Sequence, residues 1–189
     1  MSQPWAPTSD PADPAGDGAD VEPLRILVLV RHGKARDSSP SGDAGRELSG
    51  AGRSAATELG RWLAGQGVRP DAVVVSPSTR TRQTWEALEA GGLSAGSVWA
   101  DAALYEAEAV DVVESIGAVS DDVRTLVVVG HAPAIPAVAR DLPDHRDGAV
   151  TPLAEAGWPP ATCAVVGHRG SWADFPGDAS AVVAVRFPA

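Results

Sequence analysis

The chain has 189 residues with 25 acidic and 15 basic side chains, a formal net charge of −10, which suits one domain with a sizeable core and argues against general nucleic-acid binding. No apolar stretch approaches the ~20 residues needed to span a bilayer, so no membrane partner is expected. Cys163 is the only cysteine, which leaves no internal disulfide and no Cys-based metal site.

Residues 1–23 hold Asp10, Asp13, Asp17, Asp20 and Glu22, five prolines and no lysine or arginine. Such a segment buries too little apolar surface to fold, and reads as a disordered acidic tail. It lacks the basic start and apolar run of a secretory signal, so the expectation is a soluble, cytoplasmic monomer. Its five carboxylates account for half of the net charge, leaving −5 for the domain expected over 24–189.

The run Ile26 to Val30 is apolar throughout and of strand length, the habit of a strand covered on both faces. It stops at Arg31, His32 and Gly33. A polar Gly- and Ser-rich loop follows from Lys34 to Glu47. Ser49 is placed to cap a helix with an apolar stripe at Ala51, Ala55, Leu59, Trp62 and Leu63, ended by Gly65 and Gly67. Ala72 to Val75 reads as a second buried strand, and a helix from Thr79 carries Arg80 in its first turn and ends before Gly91. Ser97 to Ala100 predicts a short strand and Asp111 to Ile116 a helix. Arg124 to Val129 predicts a strand that ends at Gly130 and His131. A helix over about 133–141 comes next, with prolines tolerated in its first turn. Residues 143–160 read as loop with one helical turn, and late strands are expected over 162–166 and 181–185. Alternating strands and helices imply an α/β domain of three layers, α/β/α, with a mostly parallel central sheet.

Three strand patterns thus end in a histidine or lead to an arginine at a helix start. In an open α/β sheet the ligand sits beyond the carboxyl ends of the strands, so these residues converge on one place. Two arginine forks fit phosphate oxygens bidentately, His131 can donate a further hydrogen bond, and amides after Gly33 and Gly130 would add donors. The blander alternative for each arginine is an ion pair with one of the many carboxylates. The four histidines show no short metal-ligand spacing, so no metal and no cofactor are expected.

Arg31-His32-Gly33, then Ser76-Pro77-x-x-Arg80-x-x-Gln83-Thr84, then Gly130-His131-x-Pro133 resemble the histidine phosphatase superfamily with its phosphoglycerate mutase-like fold. The chain is most similar to the small SixA-type phosphohistidine phosphatases. The resemblance covers about Leu24 to Ala189. It implies one antiparallel late strand, attack on phosphorus by His32, and phosphate contacts from Arg31, Gly33, Arg80 and His131. It also implies a phosphorylated protein or a small phosphomonoester as substrate. Larger members place a general acid after a Leu-x-Glu pattern, which Leu104-Tyr105-Glu106 matches; Glu108 competes, and SixA-type members often lack the acid. Ser38 stands where mutase-like members carry asparagine. A phosphoglycerate mutase and a phosphate-binding regulatory domain without turnover are the alternatives. Neither a Gly-x-Ser-x-Gly elbow nor a nucleotide-binding P-loop is present.

Overall fold

A computed structural model of the chain describes residues 22–146, 155 and 157–188. The expected acidic tail lies almost wholly outside these residues, as does half of the 143–160 loop. Six strands, β1 (Leu24–Arg31), β2 (Ala72–Val75), β3 (Ser97–Ala100), β4 (Thr125–Gly130), β5 (Cys163–Arg169) and β6 (Ser180–Arg186), form one sheet in the order β3-β2-β4-β1-β5-β6. The pairs β2–β3, β2–β4 and β1–β4 are parallel, whereas β5 runs antiparallel to both β1 and β6. This is the three-layer α/β architecture expected from the sequence.

Strand periodicity divides the core. Leu27, Leu29, Val74, Leu126 and Val128 point to one face and meet Val112 and Ile116 of α3 (Ala109–Gly117) and Ile135 and Val138 of α4 (Ala134–Arg140). Val28, Val30, Val73, Val75, Val127 and Val129 point to the other. There they meet Leu59 and Leu63 of α1 (Gly50–Gly65) and Trp85 and Leu88 of α2 (Thr79–Ala90). Both faces of β1 are therefore covered, and each fully buried Val or Leu contributes about 1.5–3 kcal/mol.

Two details differ from the sequence reading, the buried face of α1 and the length of β5. The buried face of α1 is Gly52, Ala56, Leu59, Gly60 and Leu63, while Ala51 is exposed. The helix is turned because it crosses α2 at a glycine: a Cβ on Gly60 would lie 2.3 Å from the Leu88 carbonyl oxygen. β3 has the expected bounds, and its residues are all exposed because the strand is a sheet edge. β5 runs three residues beyond its apolar run, because His168, which is polar, is fully buried there and bonds Ser180 of β6.

Candidate active site

β4 lies between β1 and β2, so the carboxyl ends of these three parallel strands are neighbours. Arg31 is in register with Gly130, and Val75 with Val129. The residues that follow, His32, His131 and Ser76, are thus set side by side; the His32 amide donates to the Gly130 carbonyl at 3.0 Å and the Ser76 amide to that of Val129 at 3.0 Å. α2 begins just after Ser76 and Pro77 and brings Arg80 to the same end of the sheet.

These residues surround a cavity of about 430 Å³ lined by Arg31, His32, Lys34, Asp37, Arg46, Arg80, Glu106 and His131, with Ala35, Ala132 and Pro160. Four cations face two carboxylates, so the hollow is positive in a chain that is acidic overall.

The His32 ring is fixed by a 2.7 Å bond between Nδ1 and the Gly33 carbonyl oxygen. A carbonyl oxygen only accepts, so Nδ1 carries the hydrogen and Nε2 keeps its lone pair. Burial, reinforced by Arg80, Arg31 and Arg46 and opposed by the Gly33 bond, pushes the His32 pKa down to about 4. The ring is therefore neutral at pH 7. His131 packs edge-on against it at 5.1 Å between ring centroids and bonds Ser76 Oγ through Nε2 at 2.8 Å. Burial first, then the His32 and Arg80 charges, push His131 down to about 3.

Arg31 donates through one terminal nitrogen to the Trp158 carbonyl, while its buried Nε has no partner among the described residues. Burial lowers its pKa from an ordinary value of 12.5. Arg80 donates to the Asp43 carbonyl at 2.8 Å and to Asp43 Oδ2 at 2.9 Å, and its Nε is likewise buried and unpartnered among the described residues. The ion-pair alternative raised for the arginines thus holds for Arg80 together with a place on the cavity wall.

Gly33 departs from expectation. Its amide donates to Thr84 Oγ1 at 3.0 Å, and it does not line the cavity. A Cβ on it would come within 2.7 Å of the Gly52 carbonyl oxygen, so this glycine admits the first turn of α1 and not a ligand. No helix follows it directly, so the expected donors at a helix end are missing there; after Gly130, α4 begins only at Ala134 and the Ile135 amide is spent on the His131 carbonyl. Gln83 similarly accepts the Leu48 amide at 2.8 Å. Thr84 and Gln83 thus anchor the start and the end, respectively, of the 34–47 loop.

Glu106 lines the cavity and has φ of 58°, a left-handed conformation unusual for a residue with a side chain. Glu108 does not line the cavity; it stands just before α3, where its backbone amide donates to Asp111 Oδ2 at 2.7 Å. Ser38 lies on a different cavity, lined mostly by the loop itself. Cys163 is buried in β5 with its thiol pushed up to about 12 by burial. Lys34, Asp37 and Arg46 on the wall, and Asp43 and Tyr105 behind it, were not anticipated. The only sequence signal for the four charged ones is charge scattered through a Gly/Ser-rich loop that leaves a site strand, and Tyr105 carries none beyond its place before Glu106.

The profile of the histidine phosphatase superfamily (branch 1) matches residues 27–111. A solved structure from Nakamurella multipartitia, named for the phosphohistidine phosphatase SixA, is 35% identical, with a TM-score of 0.74, covering 89% of this chain and 99% of its own. The chain belongs to the histidine phosphatase superfamily. An uncharacterised protein of Mycobacterium tuberculosis is also 35% identical over 161 residues, 84% of this chain and 99% of its own. The structure of the protein histidine phosphatase SixA complexed with tungstate, 23% identical with a TM-score of 0.69, shares the fold over 86% of this chain and 97% of its own. The profile ends before His131, but the Nakamurella likeness spans nearly the whole histidine phosphatase fold. No helix among the described residues is long and apolar enough to cross a membrane.

Proposed function

We propose that this phosphatase works without a metal through a phosphohistidine on His32, and that its substrate is a phosphohistidine carried by another protein. The observation that carries this is the state of His32: neutral, with Nδ1–H held by the Gly33 carbonyl and Nε2 free to attack beside two arginines. Phosphoryl transfer needs positioning and compensation of charge on the equatorial oxygens more than covalent help from the protein. Arg31 and Arg80 supply that compensation, and His131 adds a hydrogen bond. His32 Nε2 forms a bond to phosphorus as the bond to the leaving group breaks. Water then cleaves the phosphorus–nitrogen bond, releasing inorganic phosphate and restoring neutral His32. The likeness to the SixA-named structure supports a phosphohistidine substrate. Glu106 on the cavity wall favours a second reading, a small phosphomonoester whose alkoxide needs a proton on leaving.

The test is p-nitrophenyl phosphate turnover with and without EDTA, combined with trapping of the phosphoenzyme. Turnover is expected to be insensitive to EDTA, with an acid-labile phosphoenzyme that His32→Ala cannot form. Loss of turnover in EDTA, or full activity in His32→Ala, overturns the proposal.

A further inference from the structure

Arg80 has a catalytic place in the proposed reaction, but the carboxylate that holds it does not yet have one. Asp43 opens the short 3-10 turn Asp43–Gly45 within the loop after β1. Its Oδ1 accepts from Arg46 at 2.9 Å, its Oδ2 accepts from Arg80 and from the Tyr105 hydroxyl at 2.9 Å each, and its carbonyl accepts from Arg80 at 2.8 Å. One residue thus ties together α2, its own loop and the turn before Glu106. The Tyr105 ring in turn lies 6.0 Å from the Arg80 guanidinium and packs edge-on to His131 at 5.8 Å.

Two features separate a support from an occupant of the phosphate place. Arg80 and Arg46 line the cavity and Asp43 does not; the Asp43 side chain is 52% exposed while that of Arg80 is 8% exposed. Asp43 also engages the two terminal nitrogens of Arg80 and leaves the edge bearing Nε. Nε–H and the second hydrogen of the adjoining terminal nitrogen make a bidentate fork of the kind phosphate accepts. Hydrogen bonds from Arg46 first, then Tyr105 and Arg80, hold the Asp43 carboxyl well below the usual carboxylate range. It is an anion at every working pH.

We propose that Asp43 is a positioning residue, which fixes the Arg80 fork toward the transferring phosphoryl group and, through the Tyr105 hydroxyl, the turn that presents Glu106. A guanidinium held in place before substrate arrives loses less freedom on binding. Its misplacement by about 1 Å is the kind of error that costs roughly 100-fold in rate. The proposal rests on the phosphatase reading of the same cavity.

The test compares Asp43→Ala, Asp43→Asn and Tyr105→Phe with wild type, each alone and with Arg80→Ala. Readouts are kcat and KM on p-nitrophenyl phosphate, tungstate affinity by calorimetry, and melting temperature. Asp43→Ala is expected to lower kcat/KM about 10- to 100-fold, mainly through kcat, and to weaken tungstate binding, with Asp43→Asn and Tyr105→Phe intermediate. Because the effect passes through Arg80, the loss of tungstate affinity should vanish in the Arg80→Ala background. Should Asp43→Ala fail to fold, the near-isosteric Asp43→Asn carries the comparison. Tighter tungstate binding with kcat/KM kept or raised would make Asp43 a counter-ion that phosphate displaces, and would overturn the proposal. Equal losses in both Arg80 backgrounds, or no loss, would overturn it too. A wild-type protein without turnover would sink the phosphatase reading alone, since the tungstate arm still tests Asp43.

Discussion

β1 carries an arginine near each end, and the two are treated oppositely. At the amino end Arg25, 4% exposed, donates to the carbonyls of Gly170, Asp121 and Val123, pairs with the Asp121 carboxylate at 3.2 Å and lies over the Trp172 ring. In register with it stands His168, fully buried, with Nδ1 bonded to Ser180 Oγ and Nε2 to the Ser171 carbonyl at 2.8 Å each. At the carboxyl end, six residues along, Arg31 has one carbonyl partner and an Nε without one among the described residues, and His32 has one ring nitrogen occupied there. The same residue types thus build a closed polar knot at one end and an undersatisfied hollow at the other. Buried polar groups are normally paired. A cluster left short of partners is where an incoming anion gains most.

The largest effect is expected from breaking the closed end. His168→Ala removes two buried hydrogen bonds and a ring packed on Trp172 and Phe175. It should cost about 3 kcal/mol, or about 6–12 °C in melting temperature, with kcat/KM per folded molecule unchanged. A stable protein with impaired turnover would erase the distinction between the two ends.

At the open end the order of effects reverses. Arg31→Lys and Arg80→Lys keep the charge but lose the fork, and each should lower kcat/KM about 10- to 100-fold, since a charge-assisted hydrogen bond is worth about 1.5–3 kcal/mol. Arg25→Lys should lower melting temperature and leave kcat/KM alone. Steady-state kinetics alongside thermal melts read all three, and wild-type kinetics in both open-end variants would remove these arginines from the reaction.

A smaller effect separates the site histidines from an ordinary imidazole. With folded-state pKa values of about 4 for His32 and about 3 for His131, the unfolded chain, near ~6.5, binds protons first as pH falls. Stability should therefore be full above about pH 6.5 and decline below it, while both rings stay neutral in the folded protein to about pH 5. An NMR titration of the imidazole protons checks this. A midpoint near 6.5 for His32 would mean that its ring is not desolvated.

How much of this was legible in the sequence follows from the same contrast. Arg31, His32, Arg80 and His131 stand directly after, or one helical turn beyond, apolar runs, and strand order alone brings them around one cavity. Asp43, Arg46 and Lys34 sit in a loop without periodicity, where only the folded backbone decides what a charge meets. Gly33 differs from expectation for a related reason: a glycine beside a site signals close approach, but sequence does not say to what, and the neighbour is Gly52 of α1. His168 looked like the other three histidines because partners such as Ser180 come from a strand not yet paired.

The smallest and most discriminating effect belongs to Glu106. It faces the cavity from a left-handed turn, a conformation that costs an L-residue about 1–2 kcal/mol. Such placement suits a proton donor, but the leaving group decides whether a donor matters. Glu106→Gln keeps shape and removes the proton. On an alkyl phosphate, whose alkoxide departs poorly without a proton, turnover should fall roughly 100-fold. On p-nitrophenyl phosphate, whose leaving group is stable as an anion, the fall should stay within about 3-fold. A phosphohistidine peptide should follow the second case, because imidazole is a far weaker base than an alkoxide. Equal losses on all three substrates would make Glu106 a shaper of the pocket, and a large loss confined to the alkyl ester would show what chemistry the residue is kept for.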